Sequence, residues 1–476
     1  MKKFFLQQYD LILFGAKGDL SGRKLIPALY ELEKKSLLHK NTRIIGVGRA
    51  HWSNEKYIEY TFNTLKNFCI NPIDMQIWKK FQSKLLFCNL DVTNISHFYT
   101  LKKVLIQNNN TKIYYFAVPP HTFGNICKGI GEIKLHYYPN RIVVEKPIGT
   151  SFKSSQKINN QLNLYFQENQ IFRIDHYLGK ETVLNLLILR FSNPIFYYQW
   201  NHNYIKYIKI FVSEKIGIEG RWKYFNSIGQ TRDMVQNHLL QILSLLTMSI
   251  PKSLDATNIQ SEKIKLLKSL RKINLKTINT NTIRGQYNSG IIDNQCVPSY
   301  TKELFSEINS QTETFVAIKT FIDNETWKNV PIYLKTGKRM FEKTSKIVIC
   351  FKQLPYNLFQ NYKHQNKLII QLQPNEGITI QFFNKNPEIS SKYNTKKSNL
   401  YFNYCDILKE NIPDAYERLF LEIMNNDQSL FISKKEIEIS WKWIDSIIQS
   451  WKINNTPLIL YKSGIKDIKF NDEYDV

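Results

Sequence analysis

The segment RIDHYLGKE, residues 173–181, sets two carboxylates, an imidazole, a phenol and two cations within nine positions around one glycine. His176, Tyr177 and Lys180 offer two cationic or cationisable groups and a hydroxyl, a set suited to gripping a phosphate. The alternative is a set of solvated capping residues at the start of a helix. A helical start would put His176 and Lys180, four apart, on one face. Asp175 stands just ahead of that helix and can orient a histidine from elsewhere. A carboxylate bonded to one ring nitrogen fixes the tautomer and raises the basicity of the other.

A histidine of that kind stands in TRDMVQNHLLQIL, residues 231–243. Asp233 and His238 lie five apart in a strongly apolar segment. A histidine on an apolar face is more often a core residue than a base. Asp175, a candidate orienting acid, favours the base. Removing a hydroxyl proton while hydride leaves the same carbon calls for such a group.

These groups need elements to position them. YDLILFGA (9–16), TRIIGVG (42–48), KLLFCNLDV (84–92), KIYYFAVPP (112–120) and RIVVEKPIG (141–149) are apolar runs separated by helical stretches. That alternation predicts βαβ units and a parallel sheet. Pro27 requires the first helix to begin late or bend. The first run opens into GAKGDLSGRK, where Gly15 and Gly18 let backbone approach a ligand and a helix start favours an anion. The spacing Gly15, Gly18, Gly22 is not the GxGxxG fingerprint, and an ordinary turn fits as well. At the end of the second run stands Arg49, where an NAD site would carry an acid. Arg49, with Lys17, could pair with a 2′-phosphate, which makes NADP the expected cofactor; the alternative is a surface arginine. Lys146, in EKPIG, would face the ligand crevice at the end of a parallel strand, or be a loop charge. A glucose–fructose oxidoreductase-like group also carries an EKP segment, so the motif points to sugar oxidoreductases more than to one family.

Beyond about residue 180 the alternation stops. A helix is expected from Glu181 to about Phe191, then half-buried strands at 204–214, 314–322, 330–337, 346–351 and 377–383, with helices such as 234–248 on one face. The Asn- and Lys-rich stretch near 384–398 reads as an exposed loop. The fold class expected is an α/β Rossmann-like dinucleotide-binding domain, residues 1–175. A larger α+β substrate-binding and oligomerisation domain with a mainly antiparallel sheet follows, residues 176–476.

With 476 residues, 43% of them hydrophobic, the chain can bury substantial cores. Its six cysteines are scattered singly with no CxxC pair, which argues against a zinc knuckle or a disulfide framework. MKKFFL at the start breaks off too soon for a secretion signal, and no apolar run reaches membrane-span length. The charge of +25 is spread along the whole chain. Together with abundant Asn and Ile it reads as compositional bias, so neither a nucleic-acid nor a membrane partner is expected.

GAKGDLSGRK, EKPIG, RIDHYLGKE, GIEGRWKYF, RDMVQNHLLQIL, TETFVAIK, VPIYLKTGKRM, NEGI and DAYERL, in this order and spacing, resemble the glucose-6-phosphate dehydrogenase family over nearly the whole chain. The resemblance implies NADP-dependent oxidation of glucose 6-phosphate at C1, as a homodimer or homotetramer. No metal is expected, since imidazole and cofactor divide the work, and the single cysteines and lack of a signal or span make the cytoplasm the expected location. It implies that His238 is the general base held by Asp175, and that His176, Tyr177 and Lys180 bind the 6-phosphate. Lys146 would touch substrate and cofactor, Glu214 and Asp233 would hold sugar hydroxyls, and Lys338 and Lys343 would be basic substrate contacts. Gly15, Ala16, Lys17, Gly18, Asp19, Leu20, Arg49, Asp91, Val92 and Tyr115 fall at cofactor positions. The chain departs from the family in Lys17, where many members have Ser or Thr, and in Ser21-Gly22, where an alanine start is commoner. Lys335 stands where arginine is frequent.

Overall fold

The computed structural model describes residues 7–69, 71–303, 310–356, 359, 365–389, 393–407, 413–471 and 473. The opening MKKFFL lies outside them. The chain divides into two compact units. The first comprises Met1–Lys180, Ser253–Gln260 and Pro413–Glu438; the second comprises Glu181–Lys252, Ser261–Ile412 and Ile439–Val476.

In the first unit, β1 (Tyr9–Phe14), β2 (Arg43–Gly48), β3 (Leu85–Asn89), β4 (Thr111–Phe116), β5 (Arg141–Val144) and β6 (Ile171–Arg173) form one sheet. Its order is β3-β2-β1-β4-β5-β6, and every pairing is parallel. This is the doubly wound arrangement, with strand C-termini facing a ligand crevice. β1 is buried along its whole length; apart from Asp10 its residues suit a strand covered on both faces. Leu11, Leu13, Leu29, Ile44 and Phe172 pack in one core with Phe420 and Ile423 of the helix Ala415–Met424. The buried Asp10 receives two hydrogen bonds from Arg43, its register partner on β2, at 2.9 and 2.7 Å. That forked pair pins the two strands. Pro27 is the second residue of the helix Ile26–Lys34. A π-helical turn, Ser21–Leu25, precedes it.

The second unit is built on β7 (Ile205–Ser213), β8 (Thr282–Asn288), β11 (Phe315–Thr320), β12 (Ile332–Gly337), β13 (Thr344–Phe351), β14 (Lys367–Gln373), β15 (Gly377–Lys385), β16 (Thr395–Asn403) and β17 (Leu458–Lys462), with β9 (Gly290–Ile292) and β10 (Gln295–Val297) forming a separate hairpin. The sheet order is β16-β15-β14-β13-β7-β12-β11-β8-β17. It is mostly antiparallel but mixed, since β12 pairs parallel with β7 and β17 parallel with β8. The helix Glu181–Phe191 forms where expected.

Two expectations need correction. The stretch near 384–398 is not simply a loop: β15 and β16 run into it from both sides, with Lys385 opposite Thr395. Ladder bonds satisfy the backbone there, while lysines at the sheet's rim suit an exposed edge; residues 390–392 lie outside the described set. The segment 234–248 is α-helical only over Leu240–Thr247, and Thr231–Leu239 is π-helical.

Candidate functional site

In the first unit, candidate residues gather at the C-terminal ends of the parallel strands. Gly15 follows β1 with φ +87°, and a Cβ there would lie 2.3 Å from the Ala117 carbonyl. Only glycine permits that approach. The Gly15 and Ala16 N–H groups both donate to the Val47 carbonyl, and Gly18 N–H donates to Gly15 O at 2.8 Å. Lys17 and Asp19 are exposed. Asp19 accepts a hydrogen bond from Arg23 at 2.5 Å, and the Lys17 ammonium sits 5.6 Å from the Trp52 ring centre. Arg49 is exposed just past β2, and Ala16 and Leu20 are buried and half-buried.

Asp91 and Val92 follow β3 and are half-buried. The Asp91 carboxylate accepts from the Thr93 N–H and hydroxyl at 2.9 and 2.8 Å. Those bonds hold its pKa below the usual value, with a smaller contribution from the Arg49 charge. Tyr115 is buried on β4, and its hydroxyl donates to Glu145 Oε1 at 2.5 Å. Lys146, half-buried, follows Glu145 and is joined to Pro147 by a cis peptide.

Asp175 caps the turn that follows β6 and accepts the Tyr177 N–H at 3.0 Å. His176–Gly179 is a 3₁₀ turn, and the α-helix begins only at Glu181. The α-helical same-face relation expected of His176 and Lys180 is therefore not the one present. The tighter turn instead brings the Lys180 ammonium to 3.9 Å from the Tyr177 ring centre, within cation–π range. Lys180 and Tyr177 are buried and His176 is half-buried, its ring stacked on Tyr416 at 6.3 Å. Gly179 is needed because a Cβ would meet the Ala415 carbonyl at 2.6 Å.

In the second unit the parallel pairing of β7 with β12 sets Ser213 opposite Gly337, so Glu214 and Lys338 leave adjacent strand ends. Their side chains form an ion pair, and Glu214 N–H donates to Gly337 O at 2.9 Å. Lys343 is exposed. Lys335, on β12, is buried and bonded to Asp467 and Glu473, which makes it part of a structural ion cluster. Asp233 and His238 share the π-helical stretch. On an α-helix residues five apart point about 140° away from each other. A π turn bonds i to i+5, which brings them close to alignment. His238 is 1% exposed and Asp233 half-buried.

Three side chains beside these groups were not among the sequence candidates: Glu145, Tyr416 and Glu313. Their only signal was an acid or phenol abutting an apolar run, in VVEKP, DAYERL and TETF.

A doubly wound parallel sheet with a glycine turn after β1 defines a nicotinamide-dinucleotide-binding fold. The larger mixed sheet of the second unit narrows the class to two-unit proteins of that fold. The family model Glucose-6-phosphate dehydrogenase, NAD binding domain matches residues 12–185, and Glucose-6-phosphate dehydrogenase, C-terminal domain matches residues 187–474. The Glucose-6-phosphate 1-dehydrogenase of Buchnera aphidicola subsp. Schizaphis graminum (strain Sg) is 52% identical, covering 98% of this chain and 96% of its own. That of Dickeya dadantii (strain 3937) is 48% identical, covering 96% and 94%. A solved structure of glucose-6-phosphate dehydrogenase in complex with its substrate glucose-6-phosphate superposes with a TM-score of 0.90 at 32% identity, covering 98% of this chain and 97% of that one. The chain belongs to the glucose-6-phosphate dehydrogenase family. Among the described residues no helix is long and apolar enough to cross a membrane.

Proposed function

We propose that the protein is a glucose-6-phosphate 1-dehydrogenase that oxidises D-glucose 6-phosphate to 6-phospho-D-glucono-1,5-lactone with NADP, opening the oxidative pentose phosphate pathway in the cytoplasm. The observation that carries this reading is identity near one half, over almost the full chain, to relatives that bear that name.

The glycine turn fits a dinucleotide: at φ +87° the Gly15 backbone lies against the Ala117 carbonyl, where no Cβ fits, and the turn stays tight at the C-terminal end of β1. Gly15, Ala16, Gly18, Asp19 and Leu20 would hold the pyrophosphate side, with Asp91, Val92 and Tyr115 beyond. Exposed Arg49 and Lys17, and the lack of an acid after β2, favour a 2′-phosphate and hence NADP. A bound nicotinamide ring supplies the hydride acceptor. His176, Tyr177 and Lys180 bind the 6-phosphate, which never reacts, and that binding energy places C1. Glu214, Asp233, Lys338 and Lys343 orient the sugar, and Lys146 reaches substrate and cofactor. His238 takes the C1 hydroxyl proton, and Asp175 fixes its tautomer and stabilises the imidazolium. Assembly as a homodimer or homotetramer would cover the β15–β16 end of the larger sheet, where Leu400 and Tyr401 are exposed.

The test is NADPH formation, read by absorbance, with glucose 6-phosphate against free glucose and with His238→Asn beside the wild type. The variant should lose about two to four orders of magnitude in kcat with sugar-phosphate binding retained. Near-normal turnover would remove His238 from the chemistry, and equal use of free glucose would remove the phosphate site.

A further inference from the structure

Resting on that reading, we propose that Glu313 is a positioning residue for proton abstraction: its buried carboxylate anchors the start of the helix that carries Asp233 and His238, and the segment it belongs to also holds the Lys338 turn. Glu313 is 6% exposed. Its Oε1 accepts the Thr231 N–H at 3.1 Å, and its main-chain carbonyl accepts the Gln230 N–H at 3.0 Å. A carboxylate bonded to the first N–H groups of a helix is charge-assisted and meets the positive end of the helix dipole. Gly229, just before, has φ +74°, and a Cβ there would stand 2.7 Å from Glu313 Oε1. The chain therefore enters the helix pressed against this carboxylate, at a position only glycine tolerates. Gln230 is fixed in turn by donating from Nε2 to Thr336 Oγ1 at 2.7 Å.

The next residue makes the second connection. The Thr314 carbonyl accepts the Lys338 N–H at 2.9 Å. Its hydroxyl lies 2.9 Å from that of Tyr461, which donates to the Lys338 carbonyl at 2.7 Å. Two consecutive residues thus fix the origin of the base-bearing helix and the backbone of a substrate lysine. Arg284 feels the Glu313 charge: burial lowers the arginine's pKa, and the carboxylate opposes that shift. Asp233 lies two residues into the helix and His238 seven. A displacement at Thr231 therefore moves both, and misplacing a reacting group by about 1 Å can cost on the order of a hundredfold in rate.

The experiment compares wild type, Glu313→Gln and Glu313→Asp in the full chain. Turnover is expressed per NADP-binding site, and the primary deuterium isotope effect is measured with glucose 6-phosphate labelled at C1. Gln keeps the volume and loses the charge; Asp keeps the charge and loses a methylene. We expect Gln to lower kcat by roughly tenfold or more with KM for the sugar phosphate changed less than about threefold, Asp to retain more activity than Gln, and the isotope effect to rise in both. Space-filling alone gives the reverse order and leaves the isotope effect unmoved. Gln within about twofold of wild type, or Gln above Asp, overturns the proposal. Should Gln fail to bind NADP, Asp decides: a raised isotope effect supports the proposal and an unchanged one sinks it. A wild type that does not reduce NADP with glucose 6-phosphate removes the underlying reading, and this inference with it. An active wild type with normal variants removes this inference alone.

Discussion

Glu145, which follows β5 in the first unit, and Glu473, which meets lysines of β7 and β12 in the second, are both buried carboxyls, and their acidities move in opposite directions. Burial pushes Glu145 up to about 7; hydrogen bonds from the Tyr115 and Tyr416 hydroxyls, and the Lys146 charge, only partly oppose it. Burial pushes Glu473 up as well, but bonds from Lys209 and Lys335 outweigh it and hold the pKa below the usual value. Desolvation has the same sign at both sites, so the partner decides: phenols stabilise a carboxylate less than ammonium groups do. The consequences for stability are opposite too. Glu145, with its folded pKa raised, contributes stability below its unfolded pKa that is lost as pH rises through about 7. Glu473, with its folded pKa lowered, contributes above its unfolded value, and that is lost as pH falls through the folded one.

The largest break in this comparison is Lys335→Met. Lys335 Nζ contacts Glu473 at 2.7 Å and Asp467 at 3.0 Å, with the lysine 2% exposed. Removing it leaves Glu473 to Lys209 alone and takes the partner from Asp467, and a loss toward the lower end of about 3–5 kcal/mol is expected at pH 7, read from the denaturant midpoint. The gap from wild type should narrow in acid as Glu473 protonates. A gap that stays constant with pH would show that packing, and not charge, is what Lys335 supplies.

Glu145→Gln comes next. Between pH 5 and 8 the wild type should lose up to about 3 kcal/mol from this group as the buried carboxyl ionises, and the variant should not. Parallel stability curves for the two proteins would mean that Glu145 does not titrate in that window. Since Lys146 follows Glu145 directly, the pH profile of kcat/KM in the variant also reads whether the acid's charge reaches the reaction centre.

Neither glutamate was legible as a special residue in the sequence. What was legible followed from the apolar pattern: near-continuous apolar runs marked β1, β2, β4 and β5, because a strand covered on both faces has little polar side to display. The three-residue β6 was too short to register as a run, though it carries Arg173 into the RIDHYLGKE turn. The π-helical winding of Thr231–Leu239 was hidden, since the apolar pattern there serves α and π spacing alike. Asp233 and His238, five apart, were the one hint, and an α-helix would have separated them. The charged partners of Lys335 stand more than 130 positions along the chain, where no local pattern connects them. Candidate residues of recognisable type in dense clusters could be singled out; carboxyls whose surroundings depend on a distant partner could not.

The exposed cations of the first unit sharpen the contrast from the other side. Arg49 and Lys17 are both exposed, and among the described residues neither is in a buried ion pair. Arg49→Ala should lower the preference for NADP over NAD by roughly tenfold, measured as the ratio of kcat/KM values, with stability little changed. A constant ratio would assign the 2′-phosphate to another group, with Lys17 the first to try.

The smallest effect belongs to Arg23→Ala. Arg23 meets Asp19 at 2.5 Å, as short as any pair in the buried cluster, yet the two side chains are 61% and 79% exposed. Water screens the attraction, and holding two mobile side chains together costs entropy. The Arg23 guanidinium also lies 5.4 Å from the Phe68 ring centre, a contact of modest worth at an exposed site. The combined loss should stay below about 1 kcal/mol in thermal unfolding. Distance alone would rank this pair with Lys335 and Glu473, whereas burial ranks it far beneath them. A loss comparable to that of Lys335→Met would show that solvent exposure is a poor guide to what a charge contributes here, and the opposite titration argued for the two glutamates would lose its physical basis.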